Sequence, residues 1–337
     1  MTLATARARS QTVLDDRVLA LLRNRPSHAW SLEELADHLR CRVGSMRPAL
    51  YRLEEAGYLF EHTATGGWRF DSAPDRLIPI EIRWQLRTRR FGARIHAFSS
   101  TGSTMDVAHR FASGGSPEGT LVVAESQTHG RGRAGRGWVS PPGQGIYASL
   151  ILRPRVVAAQ MSQMTLLAAV AAAQTMERTT KLEPTIRWPN DLLLGDKKVA
   201  GILTESAMDR GSVSYVIVGI GLNVNGHRAD LPHIATSLAI ASHHPVDRLD
   251  VLRTLLQTWE WWYDRWRRQG FDPVRHAFAE RCMTLGQTVR LQIRGQSRIG
   301  HAVRLDEEGG LVVRWDSGVE EVILTGDVEL LEATRSK

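Results

Sequence analysis

Residues 130–138 of this 337-residue chain read Gly130-Arg131-Gly132-Arg133-Ala134-Gly135-Arg136-Gly137-Trp138. Three arginines are interspersed among four glycines, and the run ends on an aromatic residue. Glycine allows the backbone a positive φ and a close approach to a ligand. Arginine presents a planar, permanently charged fork that suits phosphate or carboxylate. The stretch, which we call the arginine loop, therefore predicts a mobile cationic segment that closes over an anion.

The arginine loop contains a G-x-G-x-x-G pattern, but its surroundings do not fit a dinucleotide site. Such a site needs a helix directly after the loop, so that the helix N-terminus meets the pyrophosphate. Here residues 141–143 read Pro-Pro-Gly, and the apolar run 146–152 is typical of a strand. The loop also lacks the Gly-Lys-Ser/Thr ending of a nucleoside triphosphate P-loop. By itself the pattern leaves an anion-binding loop and an arginine-rich surface loop both open.

Composition is that of a globular protein with several domains. Hydrophobic residues make up 42% of the chain, which is ordinary for a globular protein. The formal net charge of +7 fits an anionic or nucleic-acid partner without proving one. Cys41 and Cys282 lie far apart in the sequence, so neither a disulfide framework nor a zinc site is indicated. The longest apolar run is too short to cross a bilayer, and no apolar signal segment follows the N-terminus. We therefore expect a cytoplasmic protein with no membrane partner.

The N-terminal segment predicts a winged helix-turn-helix. A helix with apolar residues at helical spacing covers residues 15–23, and a capping box at residues 31–34 opens a second helix. A brief turn leads to a third helix that ends near Glu55, and a hairpin follows around Gly66. Small three-helix units also serve dimerisation or peptide binding, so that interpretation remains open.

Basic residues lie on or beside the presumed reading helix of this unit. Such a helix occupies the major groove, and the wing touches the DNA backbone. We therefore expect DNA contacts from Arg42, Ser45, Arg47, Arg52 and Arg69. Pro48 is tolerated only in the first turn of a helix, which puts the N-cap near Ser45 and predicts a short reading helix.

The rest of the chain predicts an α+β fold in which helices and strands mix without strict βαβ alternation. A proline-containing linker over residues 71–79 leads into it, and the long helix 247–268 carries four tryptophans that we interpret as core or interface. After Cys282, short strands separated by glycine and aspartate turns predict a small all-β barrel. The expected domains are residues 1–72, 73–283 and 284–337.

Four segments of the central region carry residues suited to anion chemistry. They are Ser103-Thr104, residues 127–138, residues 187–203 and residues 219–225. Lys198 stands at the mouth of an apolar strand, where it can hold an anion as a compact charge, although a solvated lysine at a hairpin edge is the alternative. Asn223 and Asn225 fall on one face of a strand by its period of two, although asparagines also form turns at strand ends.

Four motifs within these segments, in their order along the chain, resemble the successive motifs of biotin protein ligases. The resemblance rests on the arginine loop, Arg187-Trp188-Pro189-Asn190-Asp191, Lys198-Val199-Ala200-Gly201-Ile202-Leu203 and Gly219 to Asn225. The layout from about residue 15 onward resembles the bifunctional type, which is both ligase and biotin-operon repressor. The resemblance implies a central domain like class II aminoacyl-tRNA synthetases, with a mixed sheet, and a C-terminal SH3-like barrel.

The resemblance also implies a reaction and its partners. Biotin and ATP, with Mg²⁺, would give biotinyl-5′-adenylate, and the biotinyl group would pass to one lysine of a biotin carboxyl carrier protein. Operator DNA and a homodimer formed on adenylate binding are the further partners implied. Because the acceptor lysine attacks, no nucleophile from this chain is needed.

Residue roles follow from the resemblance by position. Lys198, Arg133 and Asp191 would be catalytic. Biotin contacts would be Ser103, Thr104, Met105, Gln127, Arg131, Gly132, Arg133, Lys198, Gly201 and Leu203. ATP contacts would be Arg133, Arg136, Trp138, Asn190, Lys198 and Asn223, and Asp191 would ligate the metal.

Two departures and two alternatives accompany this interpretation. Arg187 stands where the family often has lysine, which keeps the charge, whereas Gly44 and Pro48 in the reading helix put repression in doubt. One alternative is lipoate or octanoyl transfer on a related fold, against which the arginine loop and the two flanking domains stand. The other is a ligand-responsive transcription factor with an inactive core, against which Lys198 and Asp191 stand.

Overall fold

The computed structural model describes residues 3–157, 160–209, 212–293, 296–324 and 326–331. The chain divides after Asp75 into two compact units. The expected domain limits at residues 72 and 283 remain predictions. None of the described helices is long and apolar enough to span a lipid bilayer.

The first unit contains the predicted order of helices and hairpin. Its elements are α1 (Leu3–Asn24), α2 (Leu32–Leu39), α3 (Met46–Glu55), β1 (Leu59–His62) and β2 (Trp68–Ser72), with β1 and β2 antiparallel. The capping box is confirmed, because Ser31 Oγ accepts from Glu34 N at 3.1 Å while the Glu34 carboxylate accepts from Ser31 N at 2.9 Å. The helices and hairpin bury a shared core that includes Val18, Leu22, Leu35, Leu50 and Trp30.

The third helix begins at a position that places Pro48 in its first turn. Ser45 is the N-cap residue of α3 and Pro48 lies in the first turn. A proline there has no helical hydrogen bond to lose, since the first N–H groups of a helix have no partner within it. The expected short helix is confirmed, whereas the placement of Gly44 within it is wrong, because Gly44 lies in the turn Val43–Ser45 that precedes α3.

The second unit begins with a short helix, after which helices and strands are mixed without strict alternation. In chain order its elements are α4 (Pro79–Arg83), β3 (Ile95–Phe98), α5 (Thr104–Ser113), β4 (Leu121–Ala124), β5 (Gly145–Leu152), α6 (Met161–Thr180), β6 (Thr185–Arg187), β7 (Asp191–Leu194), β8 (Lys197–Asp209), β9 (Ser212–Asn223), α7 (Leu238–Ser242), α8 (Arg248–Gln269), α9 (Asp272–Ala279), β10 (Thr288–Ile293), β11 (Gln296–Leu305), β12 (Leu311–Trp315), β13 (Glu320–Ile323) and β14 (Asp327–Leu330).

A mixed sheet forms the centre of this unit. Within the described residues its strand order is β3-β4-β5-β9-β8-β7-β6, with β3 and β4 parallel and the other neighbours antiparallel. Side chains alternate between its faces, so that Val123 packs into the cluster of α6 and α8, while Val122 packs into the cluster of α5. The sheet therefore has helices on both faces, and α5 covers the face that the arginine loop approaches.

The C-terminal strands form an antiparallel sheet in the order β13-β12-β11-β10-β14. Four of these strands match the predicted segments. The strand β14, which pairs with β10, was not predicted from the sequence. It is short and alternates apolar with acidic residues, so nothing local distinguishes it from a polar tail.

One expectation needs correction. The linker is shorter than residues 71–79, because Asp71 and Ser72 belong to β2 and Pro79 is the first residue of α4. Among the tryptophans of α8, Trp259 and Trp262 are buried in the core, whereas Trp261 is 50% exposed and its interpretation as an interface residue stays a prediction.

A buried ion pair joins α8 to the strand that leads into the arginine loop. Arg248, which is 1% exposed, donates to the Glu125 carboxylate at 2.8 Å and to Gly145 O at 3.2 Å. The other Glu125 oxygen accepts from Leu77 N at 2.6 Å. Both charges have left water, so each depends on the other.

Replacing Arg248 by methionine leaves Glu125 as a buried carboxylate without its counter-charge. We expect the free energy of unfolding to fall by about 3 kcal/mol, measured by urea titration with tryptophan fluorescence. The matched control Arg275→Met breaks an exposed pair with Asp272 and should cost less than about 1 kcal/mol. Equal losses in the two variants would contradict the interpretation.

Candidate active site

A cavity of about 220 Å³ lies above strands β8 and β9, between the arginine loop and the start of α5. Its floor is almost free of side chains where Gly201 of β8 faces Gly221 of β9 in register. A Cβ on Gly201 would lie 3.0 Å from the Trp138 ring, and one on Gly221 would overlap that ring. Glycine at these two positions therefore lets the Trp138 indole rest directly on the backbone.

The wall beside α5 is a chain of hydrogen bonds. Ser103 caps α5, accepting from Met105 N at 3.3 Å. Gln127 Oε1 accepts from Thr104 N at 2.8 Å and from Thr104 Oγ1 at 3.1 Å, and Gln127 Nε2 donates to Ser140 Oγ at 3.0 Å. Ser103 and Thr104 are buried. The first turn of α5 and the base of the arginine loop are thereby fixed to each other.

Opposite this wall, cations surround one carboxylate. Lys198 Nζ lies 2.6 Å from Asp191 Oδ1, and Arg187 Nη2 donates to Asp191 Oδ2 at 2.8 Å. Lys198 Nζ also lies 5.3 Å from the centre of the Trp138 ring. Among the described residues that line the cavity, Asp191 is the only carboxylate, whereas the lining cations include three arginines of the loop. The cavity is therefore suited to anionic ligands.

Asn190 anchors the arginine loop through a hydrogen bond from Arg133. Arg133 Nη1 donates to Asn190 Oδ1 at 2.9 Å, and Asn190 Nδ2 donates to Ile202 O at 2.8 Å. Arg133 Nη2 donates to Gly326 O at 3.1 Å, at the edge of the C-terminal sheet. Arg133 thus connects the loop, the cavity and the C-terminal sheet.

The structure brings together every residue expected to contact biotin or ATP. Each of them lines this cavity, from Ser103, Thr104, Met105, Gln127, Arg131, Gly132, Arg133, Arg136 and Trp138 to Asn190, Asp191, Lys198, Gly201, Leu203 and Asn223. In particular, Arg133 and Lys198 face the same space. Their individual roles remain predictions.

The expectation that Asn223 and Asn225 share one face of a strand is wrong, because β9 ends at Asn223. Asn223 ends β9, lines the cavity and donates to Thr236 O at 3.0 Å. Asn225 lies beyond the strand, where its side chain pairs with the backbone of Val246. The strand period of two does not apply once the strand has ended, so Asn225 is a loop-fixing residue.

Sequence reasoning also missed one wall of the cavity. Leu231, Pro232, Ile234 and Ala235 line it. This segment is tied to the start of β8, because Lys198 N donates to Ile234 O and Thr236 N donates to Lys198 O, both at 2.8 Å. The N-cap Ser237 marks where the segment ends, but nothing in the sequence shows that it crosses to Lys198.

The expected DNA contacts of the first unit fall into two groups. Arg42 and Arg47 are exposed, and neither has an ion-pair partner among the described residues. Ser45 is half-buried at the start of α3. Arg52 instead grips the Asp15 carboxylate of α1 with two hydrogen bonds of 2.9 and 2.6 Å. Arg69 pairs with Glu61, its cross-strand neighbour in the hairpin.

The charge state of Asp191 follows from its neighbours. Burial favours the neutral acid and would raise its pKa, but the ion pairs with Lys198 and Arg187 outweigh burial and leave the pKa below its ordinary value. Asp191 is therefore a carboxylate at neutral pH.

This lowered pKa predicts how stability depends on pH. A carboxylate whose pKa falls on folding stabilises the protein above its ordinary pKa, and the contribution is lost as pH drops through the lowered value. We expect the difference in free energy of unfolding between the protein and Asp191→Asn to be constant near neutral pH and to shrink below pH 3.8. Urea titrations at a series of pH values measure it. A difference that did not change with acidification would argue against the ion pairs.

Comparisons with known proteins agree with this geometry. A model of the Biotin/lipoate A/B protein ligase family matches residues 97–223, and one of the Biotin protein ligase C terminal domain matches residues 284–331. A protein of Bacillus spizizenii named Bifunctional ligase/repressor BirA is 36% identical over 324 residues, which cover 95% of this chain and 99% of that protein. A Mycobacterium tuberculosis protein named Biotin--[acetyl-CoA-carboxylase] ligase is 32% identical, over 75% of this chain and 97% of that protein.

A solved structure resembles this chain in fold and partly in sequence. It is the biotin protein ligase of Aquifex aeolicus in complex with biotin and ATP, with a TM-score of 0.61 and 28% identity. The match covers 72% of this chain and 100% of that one. With a relative more than 30% identical along nearly its whole length, this chain belongs to the biotin protein ligase family.

Proposed function

We propose that this protein activates biotin with ATP and transfers the biotinyl group to a lysine of a biotin carboxyl carrier protein. The observation that carries the proposal is the meeting of Arg133 and Lys198, from distant parts of the chain, in one cavity. In the first step a biotin carboxylate oxygen attacks the α-phosphorus of ATP, and pyrophosphate leaves. In the second, the acceptor ε-amine attacks the acyl carbon, and AMP leaves.

The charges of the cavity suit the first step. Two anions repel as they approach, so fixed positive charge where they meet lowers the barrier. Lys198 already holds one carboxylate, Asp191, at 2.6 Å, which shows that its ammonium group can approach an anion within the cavity. The arginine loop adds three guanidinium groups and, when closed, keeps water from a hydrolysable acyl-adenylate.

We assign the biotin and ATP contacts as the sequence predicts. Ser103, Thr104, Met105 and Gln127 would surround biotin with Gly201 and Leu203, while Asn190, Asn223, Arg136 and Trp138 would serve ATP. The support is their common position around the cavity.

Asp191, the expected Mg²⁺ ligand, is already engaged by protein cations. One of its carboxylate oxygens lies against Lys198 and the other accepts from Arg187. The described residues hold no group of three or more His, Cys, Asp or Glu that could bind a metal. Because both oxygens of Asp191 are engaged by cations, this carboxylate does not fit the role of a metal ligand, and no step is assigned to the metal.

We further propose that the first unit is a winged helix-turn-helix that binds operator DNA, and that the C-terminal sheet is an SH3-like barrel. The arrangement of α2, α3 and the hairpin supports the former. The Bacillus spizizenii relative named as a repressor aligns over 95% of this chain, which includes part of this unit. Dimerisation on adenylate binding, implied by the resemblance, remains a prediction.

The ligase proposal is tested with neighbouring lysines. Lys198→Ala removes the charge from the cavity, and we expect adenylate formation to fall about a hundredfold or more. Lys197→Ala is the matched control, because Lys197 does not line the cavity and pairs with Asp196. The measurement is biotin-dependent pyrophosphate release. Equal rates in both variants would refute the assignment of Lys198, and no release by the wild-type protein would refute the enzyme.

The DNA-binding proposal is tested with two arginines of α3. Arg47→Ala removes an exposed cation, so its affinity for duplex DNA should fall and the salt dependence should decrease by about one counterion. Arg52→Ala removes the clamp on Asp15 and should instead lower the melting temperature of the first unit. Fluorescence anisotropy at several salt concentrations and circular dichroism measure the two effects. An unchanged salt dependence in Arg47→Ala would contradict the assignment.

A further inference from the structure

Arg131, the first arginine of the loop, pairs with two carboxylates from two different elements. Its Nη1 lies 2.6 Å from Asp106 Oδ1 in the first turn of α5, and its Nη2 pairs with Glu205 Oε1 on β8. One guanidinium therefore joins the arginine loop to α5, which begins at one wall of the cavity, and to β8, which forms part of its floor.

A histidine holds the second carboxylate in place. His109 Nε2 lies 3.0 Å from Glu205 Oε2, and His109 Nδ1 lies 3.4 Å from the Tyr215 hydroxyl on β9. A carboxylate only accepts hydrogen bonds, so Nε2 carries the proton in the neutral ring and Nδ1 accepts from Tyr215. With Oε2 bound to His109, Oε1 is left facing Arg131. We call Asp106, His109 and Glu205 the clasp.

The clasp reaches the cavity only through Arg131. Arg131 lines the cavity, whereas Asp106, His109 and Glu205 do not. Asp106 follows directly after the lining residue Met105, and Glu205 comes two residues after the lining residue Leu203. The clasp thus fixes the loop against α5 and β8 without lining the cavity itself.

The exposure of these groups sets the size of the effect. The side chains of Arg131, Asp106 and Glu205 are 39%, 57% and 27% exposed, so water screens each pair and each contributes modestly. Loss of one partner should loosen the loop without unfolding the protein.

We propose that the clasp positions the arginine loop and so sets how long the acyl-adenylate stays in the site. This inference rests on the proposed ligase function. With the clasp intact, Arg131 holds the loop over the cavity and the adenylate leaves slowly. With one carboxylate neutralised, the loop opens more often and the adenylate escapes sooner. The residues of the clasp are positioning residues that touch no substrate.

The test measures release and formation of the adenylate separately, in the full-length protein. Asp106→Asn and Glu205→Gln keep the side-chain shape and remove the charge. We expect each variant to release preformed biotinyl-adenylate about fivefold faster, as loss of a partly screened ion pair implies. Pyrophosphate release in a single turnover should stay within about twofold. Asp196→Asn, which removes an exposed carboxylate paired with Lys197 away from the loop, is the matched control and should change neither rate.

Two histidine variants separate positioning from a general loss of structure. His109→Gln can still donate to Glu205 and should keep the wild-type release rate, whereas His109→Leu should behave like Glu205→Gln. Release rates equal to wild type in both carboxylate variants would overturn the clasp while leaving the ligase proposal intact. Slower formation with unchanged release would also overturn it. A wild-type protein that forms no adenylate would overturn the ligase proposal, and the clasp with it.

Discussion

The cavity gathers positive charge, and one buried carboxylate makes that arrangement stable. Lys198 and Arg187 would repel each other and lose hydration without a counter-charge, but Asp191 lies 2.6 and 2.8 Å from them. Asp191 is fixed in turn by its place in β7, opposite Gly201 of β8. The cations are therefore oriented by the fold before any anion arrives. Such preorganisation is what makes fixed charges effective in catalysis, because no reorganisation is needed during the reaction.

The parts that could be predicted from the sequence are those with local causes. A capping box needs only Ser31 and Glu34 at the right spacing. A segment that alternates arginine with glycine favours a loop, because glycine weakens both helices and strands. The cavity residues were found because their motifs resemble those of a family, not because spacing places them together. Nothing in the sequence itself shows that Arg133 and Lys198, which are 65 positions apart, share one space.

What could not be predicted depends on partners distant in the sequence. The charge of Arg52 and Arg69 is plain in the sequence, but their engagement by Asp15 and Glu61 appears only in the folded unit. The segment around Ile234 lines the cavity because its backbone pairs with that of Lys198. The strand β14 exists because β10 offers it an edge. In each case tertiary contacts determine the structure, and these contacts cannot be read from local sequence propensity.

The indole of Trp138 has a consequence for how a flat molecule can enter. It covers the paired glycines Gly201 and Gly221, where the floor carries no side chain and offers a surface on which a planar ring can stack. Two rings cannot share that area, so a heterocycle gains it only by evicting the indole. The eviction is cheap in one respect, since Trp138 Nε1 has no hydrogen-bond partner among the described residues and breaks none on leaving. A planar ligand that displaced the indole from these glycines would therefore also displace the arginine loop, of which Trp138 is the last residue.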